Sequence, residues 1–415
     1  LKETISLSSD PKATAQAFNF SDTLLGSISA QGSESLRVAI ANIYDQTKSQ
    51  ITKDNVIVTN ATTGANHIIY RSLLKPSDHV IVQYPTYGPL IEEPIDIGCN
   101  VSFWRHRLES NWGLELEELK RLIKPGVTKM LNLNNPNNPT GTYLSTEFQR
   151  EIIKIAKQHD ITIHCDEIFR PLFHNADTAP LTSTTNNNTN GTTTPSDTTL
   201  TAIPTSFIEH ASTLSYPKIL VSTSLSKCYG LSGIRIGWIL TPSPTLHASL
   251  MHYRLYSMES TSILDETIAT EVLSPRCRPA ILKKHLDYAR TNINNIQSFI
   301  DAHSDQAEWV RPTAGACAFV KFKHAKTGEA VDDVEFCKRL VAEKGVLVSP
   351  AGLCFSFDED IDKDGGKDDG EEWKREFKGR VRFHFTERPE VVTRGLELLG
   401  EFLKEEKLRL GVERL

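Results

Sequence analysis

Lys227 lies in the stretch STSLSKCYGLSGIRIGW (residues 222–238), with Arg235 eight positions further on. A surface lysine ordinarily sits among other charges, because an ammonium group is costly to bury without a partner. The neighbours here, Ser224, Leu225, Ser226, Cys228 and Tyr229, carry none. Other stretches place polar residues at the ends of apolar runs. After VIVT comes NATTGANHIIYRSLL (60–74), where a strand stops at small residues and a helix is expected to start near Gly64. Such a junction points free backbone N–H groups at an anion, ideally a phosphate, although an ordinary strand-to-helix turn has the same residues. HVIVQYPTYGPL puts Tyr87 beyond another strand, as a core aromatic or as a flat ring for stacking. LNLNNPNNPTG (131–141) turns around Pro136 and Pro139 and displays Asn138 at the carboxyl end of a strand, where open α/β sheets place their ligands. ITIHCDEIFR ends a strongly apolar strand in Asp166 and Glu167; Asp166 suits a helix cap, an ion pair or a cationic ligand atom.

These residues need a scaffold. VIVT (56–59), HVIVQ (79–83), KMLNL (129–133), ITIHC (161–165), ILVST (219–223) and IGWIL (236–240) are apolar runs of buried-strand type, with helical patterns between most of them. One such pattern is Phe148, Ile152 and Ile155, with Ser145 as its N-cap. The alternation predicts an α/β fold with a largely parallel sheet covered by helices. From about residue 281 the rhythm changes to a long charged helical stretch, the strand GACAFVKF, the helix DDVEFCKRLVAEKG and the strand VRFHF, an α+β set suited to a second domain. Two segments interrupt this order. TSTTNNNTNGTTTPSDTT (182–199) is polar, of low complexity, and expected to be a disordered insertion. DIDKDGGKDDGE (360–371) has the spacing of a calcium-binding EF-hand loop, through Asp360, Asp362, Asp364, Gly365 and Glu371. It also carries Lys367 and lacks a helical pattern upstream, so it reads as a solvated acidic loop with no metal.

Composition bounds the class. The 415 residues, 39% apolar and 24% charged, suit a globular chain with a large core divided between two domains. A net charge of −6 gives no basic footprint for nucleic acid, and no apolar run approaches the roughly 18 residues that a membrane span requires. Seven scattered cysteines without a CxxC pair suggest neither a disulfide framework nor a zinc site, so a reducing, cytoplasmic setting is expected. The opening LKETISLSSDPKAT has no signal-peptide pattern.

In type, order and spacing the stretches NNPNNPTG, CDEIFR and SLSKCYGLSGIRIGW resemble the class I/II aminotransferases, the pyridoxal-phosphate enzymes of fold type I. The resemblance runs from about Ser33 to Phe385, apart from the two interrupting segments. It implies a large domain with a mostly parallel seven-stranded sheet between helices, a smaller α+β domain built from both chain ends, and a homodimer. The expected boundaries are 1–45 for the N-terminal part of the small domain, 46–280 for the large domain with an insertion at about 177–203, and 281–415 for the rest of the small domain with an acidic loop at about 357–379. Residue by residue, the resemblance implies that Lys227 carries pyridoxal phosphate as a Schiff base and moves protons. Asp166 pairs with the pyridine nitrogen, Asn138 donates to the ring's phenolic oxygen, and Tyr87 and Ile168 cover the two ring faces. Thr63, Gly64, Ser224, Ser226 and Arg235 hold the phosphate, and Arg382 in GRVRFHF takes the substrate's α-carboxylate, with Asn138 also counted among the substrate-binding residues.

The chain departs from the family pattern at three places. Phe169 replaces a tyrosine that donates to the phenolic oxygen, Ser27 stands where a tyrosine often reaches the neighbouring subunit's phosphate, and Ser8 replaces the glycine of the N-terminal substrate loop. Transamination between an α-amino acid and a 2-oxo acid is the expected reaction. The alternative is elimination, replacement or cyclisation from the same carbanion, as in aminocyclopropane-carboxylate synthases and capreomycidine synthase-like enzymes. A cofactor-sensing regulator is disfavoured, because such proteins carry a DNA-binding domain ahead of the aminotransferase-like part.

Overall fold

The computed structural model describes residues 1–21, 23, 25–26, 29–44, 50–174, 204–357 and 377–412. Ser27, the low-complexity run 182–199 and the acidic run 360–371 lie outside the described residues. Seven strands form the larger sheet: β1 Val56–Asn60, β2 His79–Tyr84, β3 Asn100–Arg105, β4 Thr128–Asn134, β5 Thr162–Asp166, β6 Ile219–Ser224 and β7 Ile236–Leu240. Their order is β1-β7-β6-β5-β4-β2-β3. β2 runs parallel to β3 and β4, and β5 parallel to β6. β7 is antiparallel to both β1 and β6. The mostly parallel sheet expected of the alternating pattern is therefore present.

Six of these strands coincide with the apolar runs. β2, β6 and β7 are buried at every position, because helices cover both faces of such a sheet, and each fully buried Val, Ile or Leu contributes about 1.5–3 kcal/mol. β3 escaped the pattern because Asn100 and Ser102 break its apolar run, although Phe103 and Trp104 are buried. The helix after β1 spans Ala61–Leu73 and so begins three residues before the expected Gly64. Ser145 does cap the helix Thr146–Gln158, its Oγ accepting from Phe148 N at 3.2 Å.

The chain divides into two compact units: Leu1–Leu73 with Leu144–Gln158 and Thr162–Leu286, and Leu74–Tyr143 with His159–Ile161 and Asp287–Leu415. In the first, the helix Ala61–Leu73 turns Ala65, Ile68 and Ile69 inward, an amphipathic face that also carries the buried polar residues Asn66 and Tyr70. The second unit contains a four-stranded antiparallel sheet of β8 Ala307–Trp309, β9 Cys317–Phe322, β10 Ser349–Pro350 and β11 Arg380–His384, in the order β10-β11-β9-β8. Ala318, Val320 and Phe322 on β9 and Val381 and Phe383 on β11 alternate onto one face. There they meet Ile293, Ile296, Phe299, Leu399 and Phe402 from two helices, with Phe336 stacked on Phe322 at 4.7 Å. The strand–helix–strand reading of GACAFVKF, DDVEFCKRLVAEKG and VRFHF matches β9, the helix Asp333–Lys344 and β11.

Candidate active site

Within the first unit, β1 stops at Asn60 and the chain enters the helix through Ala61, whose φ of +56° is left-handed. The Ala61 N–H is taken by Arg235 O at 3.0 Å, which binds the helix start to the residue ahead of β7. Gly237 on β7 permits this approach: a Cβ there would lie 2.6 Å from the Ala61 carbonyl carbon and 2.7 Å from Thr223 O. The first turn thus presents Thr62, Thr63 and Gly64, whose N–H groups have no partner within the helix. Thr63 is exposed, whereas Thr62 is buried and its Oγ1 makes no hydrogen bond among the described residues.

The end of β6 and the loop from it to β7 carry four more of the expected residues. Ser224 is buried, and its Oγ accepts from Ser226 N at 3.3 Å. Ser226 Oγ is itself buried with no hydrogen-bond partner among the described residues. Lys227 follows with an exposed side chain, so the absence of charged neighbours along the chain does not mark a buried amine. Arg235 is exposed and left-handed at φ +52°, its Nη1 donating to Ser232 O at 3.0 Å. The helix start, two orphaned hydroxyls and an open guanidinium have the chemistry of a phosphate site, and the donor set fits that group of pyridoxal phosphate.

Asp166 closes β5 and is 2% exposed. Its Oδ1 accepts from Ile168 N at 3.0 Å and its Oδ2 from Asn66 Nδ2 at 3.3 Å. Burial pushes the carboxyl up to about 7, and these two hydrogen bonds oppose the rise. A cationic ring nitrogen would oppose it further, so the carboxylate suits a pyridinium partner. Glu167 is likewise buried and pushed up to about 7, first by burial, with the nearby Arg170 guanidinium pulling the other way. It accepts from Ser206 Oγ and Phe207 N and leads away from the site. Ile168 is half-buried, and its carbonyl accepts from Cys228 Sγ at 3.2 Å. Phe169 is buried and brings no donor.

Within the second unit, β2 delivers the chain to Tyr87, which is 39% exposed and so is not a core aromatic. Tyr84 anchors that approach, stacked on Phe103 at 4.4 Å with its hydroxyl donating to Phe355 O at 2.7 Å. In the loop after β4, Asn138 N donates to Asn134 Oδ1 at 2.7 Å, and Asn137 holds Thr140 Oγ1 at 2.7 Å and Pro85 O at 3.1 Å. Gly141, at φ +69°, lets this loop pass where a Cβ would sit 2.7 Å from Cys317 O. Asn138 is thereby buried and fixed, and its Oδ1 accepts from Arg382 Nη1 at 3.2 Å. Arg382 Nη2 donates to Ser349 Oγ at 3.0 Å, the guanidinium carbon lies 5.4 Å from the Phe355 ring centroid, and Nε is buried without a partner among the described residues.

The structure therefore brings Asn138 and Arg382 together in one unit, and Thr63, Gly64, Asp166, Ile168, Phe169, Ser224, Ser226, Lys227 and Arg235 into the other. The sequence reading missed Ser349, Thr62 and the partners of Asp166. The signal for the last was available: Asn66 and Tyr70 are four apart on a helix, and His164 and Asp166 two apart on a strand, so each pair shares a face. No group of three or more His, Cys, Asp or Glu arranged for a metal occurs among the described residues. All seven cysteines are free.

A mostly parallel α/β sheet with a phosphate-type donor set and a buried carboxylate at its strand ends defines a cofactor-binding fold. Residues 6–359 match the family model for aminotransferase class I and II. The chain is 26% identical over 319 residues to the capreomycidine synthase of Streptomyces vinaceus, covering 77% of this chain and 71% of that protein. It is 25% identical over 323 residues to the aspartate aminotransferase of Thermotoga maritima, covering 77% and 74%. A PLP-dependent aminotransferase from Streptococcus suis superposes with a TM-score of 0.76 at 28% identity, covering 98% of this chain and 90% of the other. The chain belongs to the class I and II aminotransferases, pyridoxal-phosphate enzymes of fold type I.

Proposed function

We propose that this protein transfers the amino group of an α-amino acid to a 2-oxo acid, with Lys227 as the residue that holds pyridoxal phosphate covalently. The bound cofactor supplies an electron-accepting ring for the pair left at the substrate's Cα when its proton departs. Lys227 supplies the amine that tethers the cofactor and carries the proton to and from Cα. Asp166 holds the ring nitrogen protonated, Asn138 donates to the phenolic oxygen, and Tyr87 and Ile168 cover the ring. Thr63, Gly64, Ser224, Ser226 and Arg235 take the phosphate. The observation that carries the substrate side is the Asn138–Arg382 contact at 3.2 Å. This contact, which sets a planar fork of donors, one nitrogen without a partner among the described residues, beside the residue assigned to the cofactor, supports Arg382 as the group that takes the α-carboxylate.

A lyase or cyclase acting through the same residues is the second reading, supported by the resemblance to a capreomycidine synthase at the same level of identity as to an aspartate aminotransferase. Product analysis of the purified protein with an amino-acid panel separates the two. Transamination requires an added 2-oxo acid and returns a new amino acid and a new 2-oxo acid. Turnover of the amino acid without any 2-oxo acceptor would identify the second reaction. We read the protein further as a cytoplasmic homodimer with small-molecule substrates; the free cysteines agree with a reducing setting. Among the described residues no helix is long and apolar enough to cross a membrane. The four-stranded sheet falls wholly within residues 281–415, which supports the reading of that stretch as part of a small domain.

A further inference from the structure

Behind Asp166 runs an unbroken line of buried polar side chains, all within the first unit. Asn66 Nδ2 lies 3.3 Å from Asp166 Oδ2, Ser222 Oγ 2.8 Å from Asn66 Oδ1, His164 Nε2 2.9 Å from Ser222 Oγ, and Tyr70 Oη 3.1 Å from His164 Nδ1. Asn66 and Asp166 are each 2% exposed, and Ser222, His164 and Tyr70 are completely buried. Proton counting fixes the sense of every link. An ionised Asp166 can only accept, so Asn66 must turn its amide nitrogen toward it and its oxygen toward Ser222. The single Ser222 proton is then spent on Asn66, so Ser222 can only accept from His164, which must carry its proton on Nε2. That leaves Nδ1 bare, and the Tyr70 hydroxyl donates to it.

We infer that Tyr70, His164, Ser222 and Asn66 form a one-way donor relay into Asp166, and that His164, fixed in its Nε2–H form, is a positioning residue for the carboxylate assigned to the cofactor's ring nitrogen. Aligned donors polarise one another, so the relay strengthens the last bond beyond that of an isolated amide and favours the anion. His164 can serve only while neutral, and its burial pushes the imidazole down to about 3, which keeps it so. The inference rests on the cofactor reading of Asp166 for its purpose but not for its geometry. With His164 neutral, the relay has only one other self-consistent sense, the complete reverse, and that sense requires a donor at position 166.

Asp166→Asn imposes the reverse. Ile168 N–H holds one oxygen of residue 166, so the amide nitrogen of the variant faces Asn66. Asn66 must then present its oxygen, Ser222 donates to His164 Nε2, and the proton of His164 moves to Nδ1. Nitrogen-15 NMR of histidine-labelled, cofactor-loaded protein at pH 8 reads this directly, with the His164 signal assigned by its loss in His164→Gln. The expected result is the Nε2–H tautomer in the wild type and Nδ1–H in Asp166→Asn. Ser222→Ala, which removes the acceptor without touching Asp166, should also move His164 toward Nδ1–H, and serves if Asp166→Asn fails to fold. Ser222→Ala should also weaken retention of added pyridoxal phosphate several-fold while its circular dichroism is unchanged. An Nδ1–H or cationic His164 in the wild type, or one tautomer in all three proteins, would overturn the relay. A wild type that shows the expected tautomers but binds no pyridoxal phosphate would instead sink the cofactor reading and leave the relay as a property of the fold.

Discussion

At the scale of single residues, Arg382 and Glu167 separate two uses of charge. Arg382 is half-buried, held from two sides by Asn138 and Ser349, and aimed by contacts that leave its Nε without a partner among the described residues. If it binds an α-carboxylate through two charge-assisted bonds, Arg382→Ala removes about 3 kcal/mol, and kcat/KM should fall roughly a hundredfold. Arg382→Lys should restore only part, because a point charge cannot reproduce the fork. Steady-state kinetics of the two variants with the best substrate check this, and unchanged values in both would mean that another residue holds the carboxylate. Glu167 has no such aim. Its folded-state pKa is raised to about 7, so its stabilising contribution is complete at low pH and is lost as the pH climbs through 7. Thermal melts of cofactor-free protein should therefore show Glu167→Gln more stable than wild type at pH 8, by on the order of 1–3 kcal/mol, with the difference vanishing toward pH 5. Equal melting at every pH would show that Arg170 already compensates the buried charge.

At the scale of elements, close approach decides where the helix start proposed to hold the phosphate sits. The start of the helix Ala61–Leu73 is packed on β7 so tightly that Gly237 has no room for a methyl group. Gly237→Ala should destabilise the protein by about 1–3 kcal/mol and also lower its affinity for inorganic phosphate and pyridoxal phosphate, because the helix start must retreat. Thermal melting and equilibrium dialysis test the two parts, and a stable variant with intact affinity would show that the helix start is not the anion site. The same packing explains what the residues disclosed in advance. β1, β2 and β4–β7 were legible because a doubly covered sheet demands continuous apolar runs, and the loop beyond β4 was legible because Pro136 and Pro139 punctuate it. β3 was hidden by its two polar positions. The Asp166 partners were overlooked, although their spacing was visible, because Asn66, His164 and Ser222 look like surface residues until a hydrogen-bonded line of them is found in the core. The exposure of Lys227 follows from the loop's path between β6 and β7, which neighbouring residue types do not reveal.

At the scale of the whole molecule, each of the two units builds its own set of the residues proposed for cofactor and substrate. The first set carries the residues proposed to hold the phosphate, the buried carboxylate and Lys227; the second carries Tyr87, Asn138 and Arg382. All of it depends on one covalent assignment. The direct test is borohydride reduction of the cofactor-loaded protein followed by peptide mapping. The account predicts a pyridoxyl group on the peptide that contains Lys227, and none in Lys227→Ala, which should still retain cofactor weakly through the phosphate donors and Asp166. A label on a different lysine, with the Lys227 peptide unmodified, would contradict it.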